Sequence, residues 1–330
     1  MIDFNNGEER LNKYSGSEVK TTLIYENEIY MIKYPDPIRD KKNILSYMNN
    51  QFSEHIGCGI FNACGFNAQE TVMGYHRDVN GKKKIVVGCK DFTQDGSVLY
   101  EFSKIINQVL TEGKPGTTIE SVHDVINRSK LITDKEGIKA MFWDMFVVDA
   151  LIGNPDRHFD NWGIVEKNKE ITFAPIYDCG SSLAALIDDK VMNDLLTDRI
   201  AFKNQEYNST SCYYIDNKRI FYHEIFKNPP MQLKEAIKRI VNRINMTKIH
   251  DVIDSTPIIS NIRKDYIKQA LNLRYSQILT PALKRIIRQE KGSEITMKDR
   301  ISHAQAEASK RNASRSKNTT GYLKKNEHEV

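Results

Sequence analysis

Ile152-Gly-Asn-Pro-Asp156-Arg-His-Phe-Asp-Asn161-Trp162 and, further on, Ile176-Tyr-Asp178-Cys-Gly-Ser-Ser182 hold the densest polar residues in an otherwise apolar part of the chain. A helical pattern, Gly137–Ile152, leads directly into the first motif and carries Trp143 and a dense apolar stripe. Two β-like runs, Trp162–Val165 and Ile171–Ile176, lie between the motifs. Helix, loop, hairpin and a second Asp therefore follow in order. Asp156 and Asn161 stand five positions apart. Such a pair arises by chance in most chains of this length, so the joint pattern carries the weight.

Upstream, Thr21–Tyr34 reads as two β-rich runs around Glu26-Asn27, preceded by a small-residue turn at Tyr14–Ser17. Ile44, Leu45, Met48, Phe52, Ile56 and Ile60 recur mostly every fourth residue, which predicts an amphipathic helix ending near Gly65. A second strand pair, Ala68–Gly74 and Lys84–Phe92, joins through Asn80-Gly81. Helical patterns then cover Val98–Leu110 and Ile119–Ser129, and after the motifs Gln232–Ile253 and Ile262–Arg288. From Ser302 the chain is rich in Ser, Asn, Lys and Ala without sustained periodicity, which predicts an irregular, mobile tail. No internal repeat is visible. The expected class is α+β: a small β-rich N-lobe (1–92), a larger helical C-lobe (93–300) and a basic tail (301–330), the two-lobed layout of protein kinases.

Phosphoryl transfer fits this inventory. It needs a carboxylate that orients and deprotonates an acceptor hydroxyl, oxygen ligands for Mg2+, and cations on the phosphates. Asp156 stands where the base belongs, Asn161 and Asp178 where the metal ligands belong. Lys33, ending the strand Tyr30-Met-Ile-Lys33, would contact the α/β-phosphates, with Glu54 on the first helix as its ion-pair partner. Taken alone, Lys33 is an ordinary edge lysine and Glu54 a solvated helix-face residue.

The catalytic motif, the start Ser15-Gly-Ser-Glu-Val-Lys-Thr-Thr-Leu23 and the strand Ile32-Lys-Tyr-Pro35 resemble the HipA family of bacterial Ser/Thr protein kinases, over most of residues 10–290. The resemblance implies ATP and Mg2+, a protein substrate with a Ser or Thr acceptor, autophosphorylation, and, through a secreted branch of the family, action in a host cell. It assigns Asp156 as base, Asn161 and Asp178 as metal ligands and Lys33 as the phosphate lysine. Two departures stand out. The kinase-like pattern begins almost at Met1, without the extra N-terminal domain of HipA itself. The phosphate loop has only Gly16, so the backbone of Ser15, Gly16, Ser17 and on to Val19, with Lys20, would cradle phosphate. Both departures speak against HipA-style toxin–antitoxin pairing. His158 is a second candidate for phosphate or for bracing the loop. Arg157 is a candidate partner for the activation segment. Lys90-Asp91-Phe92 falls where a hinge would face adenine, so Lys90 and Phe92 join the nucleotide-binding set. Ser181, Ser182 and Tyr213-Tyr214 are candidates for regulatory phosphorylation, and Asp144 and Asp149 for structural carboxylates.

Bulk properties narrow the class. The chain has 330 residues, 40% hydrophobic and 28% charged, enough for a sizeable core. Five cysteines without CxxC spacing read as reduced thiols and not as a zinc site. No signal-peptide pattern and no bilayer-length apolar run is visible, so no integral membrane segment is expected. Between Ile301 and Lys325 six basic residues face the single acid Glu307, a local charge equal to the chain's formal +5. The body is thus near neutral, and nucleic acid is expected to bind only weakly, through the tail. Two rival readings remain: a phosphoinositide-type lipid kinase, which shares the D-R-H-x-x-N loop, and an inactive kinase-shaped binding module with a basic tail.

Overall fold

In the computed structural model, which describes residues 1–11, 20–35, 49–110 and 116–323, the first strands are β1 (Ile2–Asp3) and β2 (Glu8–Arg10). Next come β3 (Lys20–Tyr25) and β4 (Glu28–Lys33), joined through Glu26 and Asn27 at φ 50° and 64°. Two successive left-handed residues give the tight turn whose twist matches that of the strands. After α1 (Asn50–Ala63) the strands β5 (Thr71–Arg77) and β6 (Lys83–Lys90) complete a six-stranded sheet in the order β1-β5-β6-β4-β3-β2. Every pair is antiparallel except β1 with β5.

Alternation along β4 decides what faces where. Tyr30, Ile32 and, just past the strand, Tyr34 join Phe4, Leu23 and Val86 in one apolar cluster. Lys33, out of phase with them by one residue, belongs to the opposite face. Helix α1 packs on β5, β6 and a C-lobe helix described below. It ends in the expected left-handed glycine: Gly65 has φ +88°, and the amides of Gly65 and Phe66 donate to the carbonyls of Asn62 and Phe61. Ile44, Leu45 and Met48, expected to open this helix, lie outside the described residues, as do Tyr14, Ser15, Gly16 and Ser17.

The expected helix Val98–Leu110 is instead a strand, β7 (Val98–Glu101), followed by α2 (Phe102–Val109). Pairing with a distant strand decides those four residues, and local periodicity carries no trace of it. Helices α3 (Ile119–Arg128) and α4 (Lys135–Ile152) follow, and α4 is buried on every side from Phe142 to Ile152. Strands β8 (Gly163–Lys167) and β9 (Glu170–Phe173) add to β7 in a three-stranded sheet. Beyond β9, Ile176 forms an isolated bridge with Ala68 and so ties the Asp178 segment to the chain just after α1.

No element was expected between Ile176 and Gln232. The structure has α5 (Asp189–Thr197), α6 (Arg199–Tyr207), the hairpin β10 (Thr210–Ile215) with β11 (Lys218–Phe221), and the short α7 (Tyr222–Ile225). The long pattern Gln232–Ile253 is two helices, α8 (Met231–Val241) and α9 (Met246–Ser255). Asn245 divides them, accepting from the amides of Thr247 and Lys248 as an N-cap. Helix α10 (Asn261–Arg274), a π-turn at Tyr275–Leu279 and α11 (Thr280–Leu323) complete the described chain. The last helix runs through the segment after Ser302, where missing apolar periodicity predicts irregular chain. Ala, Lys, Arg, Gln and Glu supply helix propensity there without an apolar stripe. The chain forms two compact units, Met1–Ala282 and Leu283–Val330. Among the described residues no helix is long and apolar enough to cross a membrane.

Candidate active site

Lys33 is 3% exposed, and its Nζ lies 2.9 Å from Glu54 Oε2 on α1 and 2.9 Å from Asp178 Oδ1. Glu54 is fully buried. A buried ammonium needs such partners, since an uncompensated charge at this depth costs several kcal/mol, about 3–5 when one partner is removed. The sheet, α1 and the segment after β9 thus meet at one lysine.

The loop after α4 is built on its own backbone. Gly153, at φ +65°, ends the helix. Asn154 Oδ1 accepts from the Asp156 amide at 3.0 Å, an Asx-turn that starts the loop. Asn161 Nδ2 donates to the Asp156 carbonyl at 2.8 Å, and the Asn161 amide donates to the His158 carbonyl at 2.9 Å. Asp156 and Asn161 are therefore held against each other, with the Asn161 NH2 committed to the loop. Its Oδ1 is left as the donor oxygen for a cation.

Arg157 fastens this loop to the Asp178 segment. It is 1% exposed, and its Nε and Nη2 donate to Asp149 Oδ2 and Oδ1 at 3.0 and 3.1 Å, a bidentate pair. Its Nη1 donates to the carbonyls of Asn161 at 2.8 Å, Tyr177, and Asp178 at 3.3 Å. Burial alone would lower the guanidinium pKa, and the Asp149 carboxylate more than reverses this and holds it well above its usual value. The solvated arginine that is the default for such a residue is thus replaced by a buried clamp. Asp149, held by Arg157 and by Asn154 Nδ2, is the satisfied structural carboxylate expected. Asp144 is likewise paired, with Arg239.

The two acidic candidates sit in opposite electrostatic settings. Burial pushes the Asp156 carboxyl up, as does the nearby Asp178 charge, against the pull of His158 and the Ser181 hydrogen bond. Burial would also raise Asp178, yet the Lys33 charge and hydrogen bond, with Arg157 and Lys20, outweigh it and hold the carboxyl below the usual range. Asp178 has φ +57°, a left-handed conformation uncommon outside glycine that aspartate tolerates better than most side chains. An ionised carboxylate at Asp178 and an amide oxygen at Asn161 form a hard-oxygen pair suited to Mg2+, which takes few protein ligands and completes its shell with water and phosphate. Among the described residues no group of three or more His, Cys, Asp or Glu could hold a metal by itself.

Other predicted residues sit at varying distance from this centre. His158 lies beside Asp156, its Nε2 3.9 Å from Asp156 Oδ1, while its Nδ1 accepts from the Asp160 amide at 3.2 Å. Phe92 packs on Tyr177, ring centroids 6.0 Å apart. Lys90 is engaged elsewhere. Its ammonium pairs with Glu28 at 2.9 Å, its amide donates to the Glu70 carbonyl, and its own carbonyl accepts from Gln69 Nε2. The role of Asn154 is carried in the sequence only by a local turn signal, an Asn next to proline and two residues before an Asp. Ser181, a phosphorylation candidate from the sequence, donates from its Oγ to Asp156 Oδ2 at 3.1 Å.

A strand lysine paired with a helix glutamate, set against an Asp–Asn loop and a second aspartate, defines a two-lobed protein-kinase-like fold with a small β-rich N-lobe and a larger helical C-lobe. Comparison with known proteins narrows this class. The model of the HipA-like C-terminal domain matches residues 13–248. The serine/threonine-protein kinase CtkA of Helicobacter pylori (strain J99) is 38% identical over 275 residues, 81% of this chain and 82% of that protein. A crystal structure titled as a Helicobacter pylori proinflammatory kinase CtkA matches with TM-score 0.79 and 36% identity, over 87% of this chain and 98% of that one. HipA of Shewanella oneidensis MR-1, in a complex with HipB and operator DNA, matches with TM-score 0.48 and 14% identity, over 84% of this chain and 66% of that one. The chain belongs to the HipA-like family.

Proposed function

We propose that this chain is an ATP-dependent protein serine/threonine kinase that moves the γ-phosphate of ATP to Ser or Thr hydroxyls of a protein, itself included. The observation that carries this reading is the convergence on Lys33, whose Nζ is 2.9 Å from both Glu54 and Asp178. That triad, with Asp156 and Asn161 hydrogen-bonded to each other, is the set of parts that phosphoryl transfer requires. Likeness to a relative named as a serine/threonine-protein kinase over 81% of this chain supports the same reading. The lobes divide near residue 92, and the nucleotide lies between them.

In this reading Lys33, oriented by Glu54, neutralises charge on the α/β-phosphates, and the backbone of residues 15–19 cradles them. Phe92, resting on Tyr177, borders the adenine, with the Lys90 segment behind it. Asn161 Oδ1 and the Asp178 carboxylate would hold Mg2+, which supplies positive charge on the phosphate oxygens. Asp156 accepts the proton of the acceptor hydroxyl, and His158 braces its loop. An inactive module has less support, because none of the five residues is missing. Export from the producing cell and action in a host cell belong to the same proposal. Recovery of the chain from culture supernatant free of cytoplasmic markers is the check on that part.

The primary test is transfer of radiolabelled γ-phosphate from MgATP by the purified full chain, alone and with a generic basic protein acceptor. Asp156→Asn runs beside it, with phosphoamino-acid analysis of the product. Label on Ser or Thr that vanishes in the variant is the expected result. Absence of label from protein, or equal label in the variant, would refute the proposal.

A further inference from the structure

Building on the kinase reading above, we infer that Ser181 is a positioning residue for the base: its hydroxyl holds the Asp156 carboxylate in the rotamer that receives the acceptor proton. Ser181 Oγ donates to Asp156 Oδ2 at 3.1 Å. The other oxygen, Oδ1, faces His158 Nε2 at 3.9 Å, beyond hydrogen-bond reach. The main chain of Asp156 is fixed at both ends, its amide by Asn154 Oδ1 and its carbonyl by Asn161 Nδ2. Its side-chain carboxylate is not fixed by these bonds. The last torsion of an aspartate is broad and roughly two-fold, so an unheld carboxylate samples many orientations about its Cβ–Cγ bond. Among the described residues, Ser181 is the hydrogen-bond donor to that carboxylate.

The turn that presents Ser181 is itself anchored. The Ser182 amide and hydroxyl both donate to the Cys179 carbonyl, at 3.1 and 2.7 Å. The Leu183 amide donates to the carbonyl of Ile152, the last residue of α4, at 3.1 Å. Gly180 passes so close to α1 that an added Cβ would stand 3.2 Å from Glu54 Oε2 and 3.5 Å from Asn50 Cβ. Four consecutive residues thus carry the candidate metal ligand, Asp178, at one end and the base-holding hydroxyl at the other. Asp178 and Ser181 are set by one rigid turn, so metal site and base are aligned together. A carboxylate has lone pairs for several donors, and a bond from Ser181 to Oδ2 leaves capacity for the acceptor hydroxyl.

The test compares Ser181→Ala and Ser181→Thr with the unaltered full chain in steady-state transfer from MgATP to the basic protein acceptor. Asp156→Asn serves as the control for the kinase reading. Loss of orientation at the base is expected to lower kcat of Ser181→Ala by about tenfold or more, with KM for ATP within about twofold. Ser181→Thr, which keeps the hydroxyl, is expected to recover most of the rate. An unchanged kcat in Ser181→Ala beside an inactive Asp156→Asn would overturn the inference and leave the kinase reading standing. A fall in kcat matched by a lowered melting temperature and not recovered by Thr would overturn it too, as a folding effect. Phosphate found on Ser181 itself by mass spectrometry would also overturn it, because a phosphoserine has no such proton to donate. An unaltered chain that transfers no phosphate would sink the kinase reading itself.

Discussion

Arg157→Leu is the most informative single change for the architecture of the site. In the folded chain the guanidinium is the bidentate partner of Asp149 and reaches the carbonyls of Asn161, Tyr177 and Asp178. Leucine replaces the volume in part and none of the donors. Asp149, 1% exposed, would retain the hydrogen bond from Asn154 Nδ2 at 3.0 Å. Breaking a buried ion pair by removing one partner costs about 3–5 kcal/mol. An orphaned buried carbonyl adds about 1–3 kcal/mol, partly overlapping with the first cost. A loss of about 4–6 kcal/mol follows, a large share of the roughly 5–15 kcal/mol that stabilises a domain. At a urea slope near 3 kcal/mol/M, that moves the unfolding midpoint down by about 1.3–2 M.

The two tryptophans suit the measurement: Trp143 and Trp162 are both 1% exposed, and Trp162 follows Asn161 in the clamped loop. Urea titration followed by tryptophan fluorescence would be run on Arg157→Leu, Asp149→Asn and the double variant. Once Asp149 has lost its charge, Arg157→Leu should cost less, giving a coupling of about 2–3 kcal/mol. A midpoint shift under about 0.3 M, or strict additivity, would show that the clamp does not hold the loop as the geometry implies.

Glu54→Gln removes the buried counter-charge of Lys33 and leaves that lysine held by Asp178; transfer should fall by about 100-fold, and a rate near that of the unaltered chain in the radiolabel assay refutes the role. Gly153→Ala places a Cβ 2.4 Å from Arg274 Nη1 at a residue with φ +65°; a loss of about 1–3 kcal/mol is expected in thermal unfolding, and an unchanged melt contradicts the strain. Acid unfolding should report Asp178. Its pKa is lowered in the folded state, so its contribution is present above the unfolded value of about 3.9 and is lost as pH falls through the lower folded value. Asp178→Asn should lack that part of the acid-side slope, and identical slopes would mean that Lys33 does not hold the carboxyl down.

What local chemistry dictates was legible in the sequence. Glu26-Asn27 marks its hairpin and Gly65 ends α1, because left-handed residues have few other uses. The all-apolar stretch of α4 reads as a buried helix for the same kind of reason. The missed elements are those decided at a distance. Val98–Glu101 becomes a strand because Gly163–Glu166 is there to pair with it, and Gly163 brings the chains so close that an added Cβ would meet the Tyr100 carbonyl oxygen at 2.2 Å. The split between α8 and α9 hangs on one Asn side chain capping the second helix, a signal hidden inside a continuous apolar rhythm.

The site divides along the same line. Asp156, Asn161, Asp178, Lys33 and Glu54 are proposed from residue type and order, because phosphoryl transfer restricts which groups serve and the fold restricts their sequence. Their supports cannot be picked out that way. Arg157 looks like any loop arginine until Asp149, eight residues earlier on a buried helix, proves to face it. Ser181 looks like any hydroxyl after a turn until the turn folds back onto Ile152 and delivers it to Asp156. Reactive groups are constrained by chemistry, which leaves a mark in residue identity. Supporting groups are constrained by geometry, and many residue types could meet that demand from many positions. The same asymmetry sets the expected cost of losing each kind. Removing a group proposed to be reactive is expected to affect rate alone where it is partly exposed, as at Asp156. Removing a buried support such as Arg157 takes stability first and rate with it.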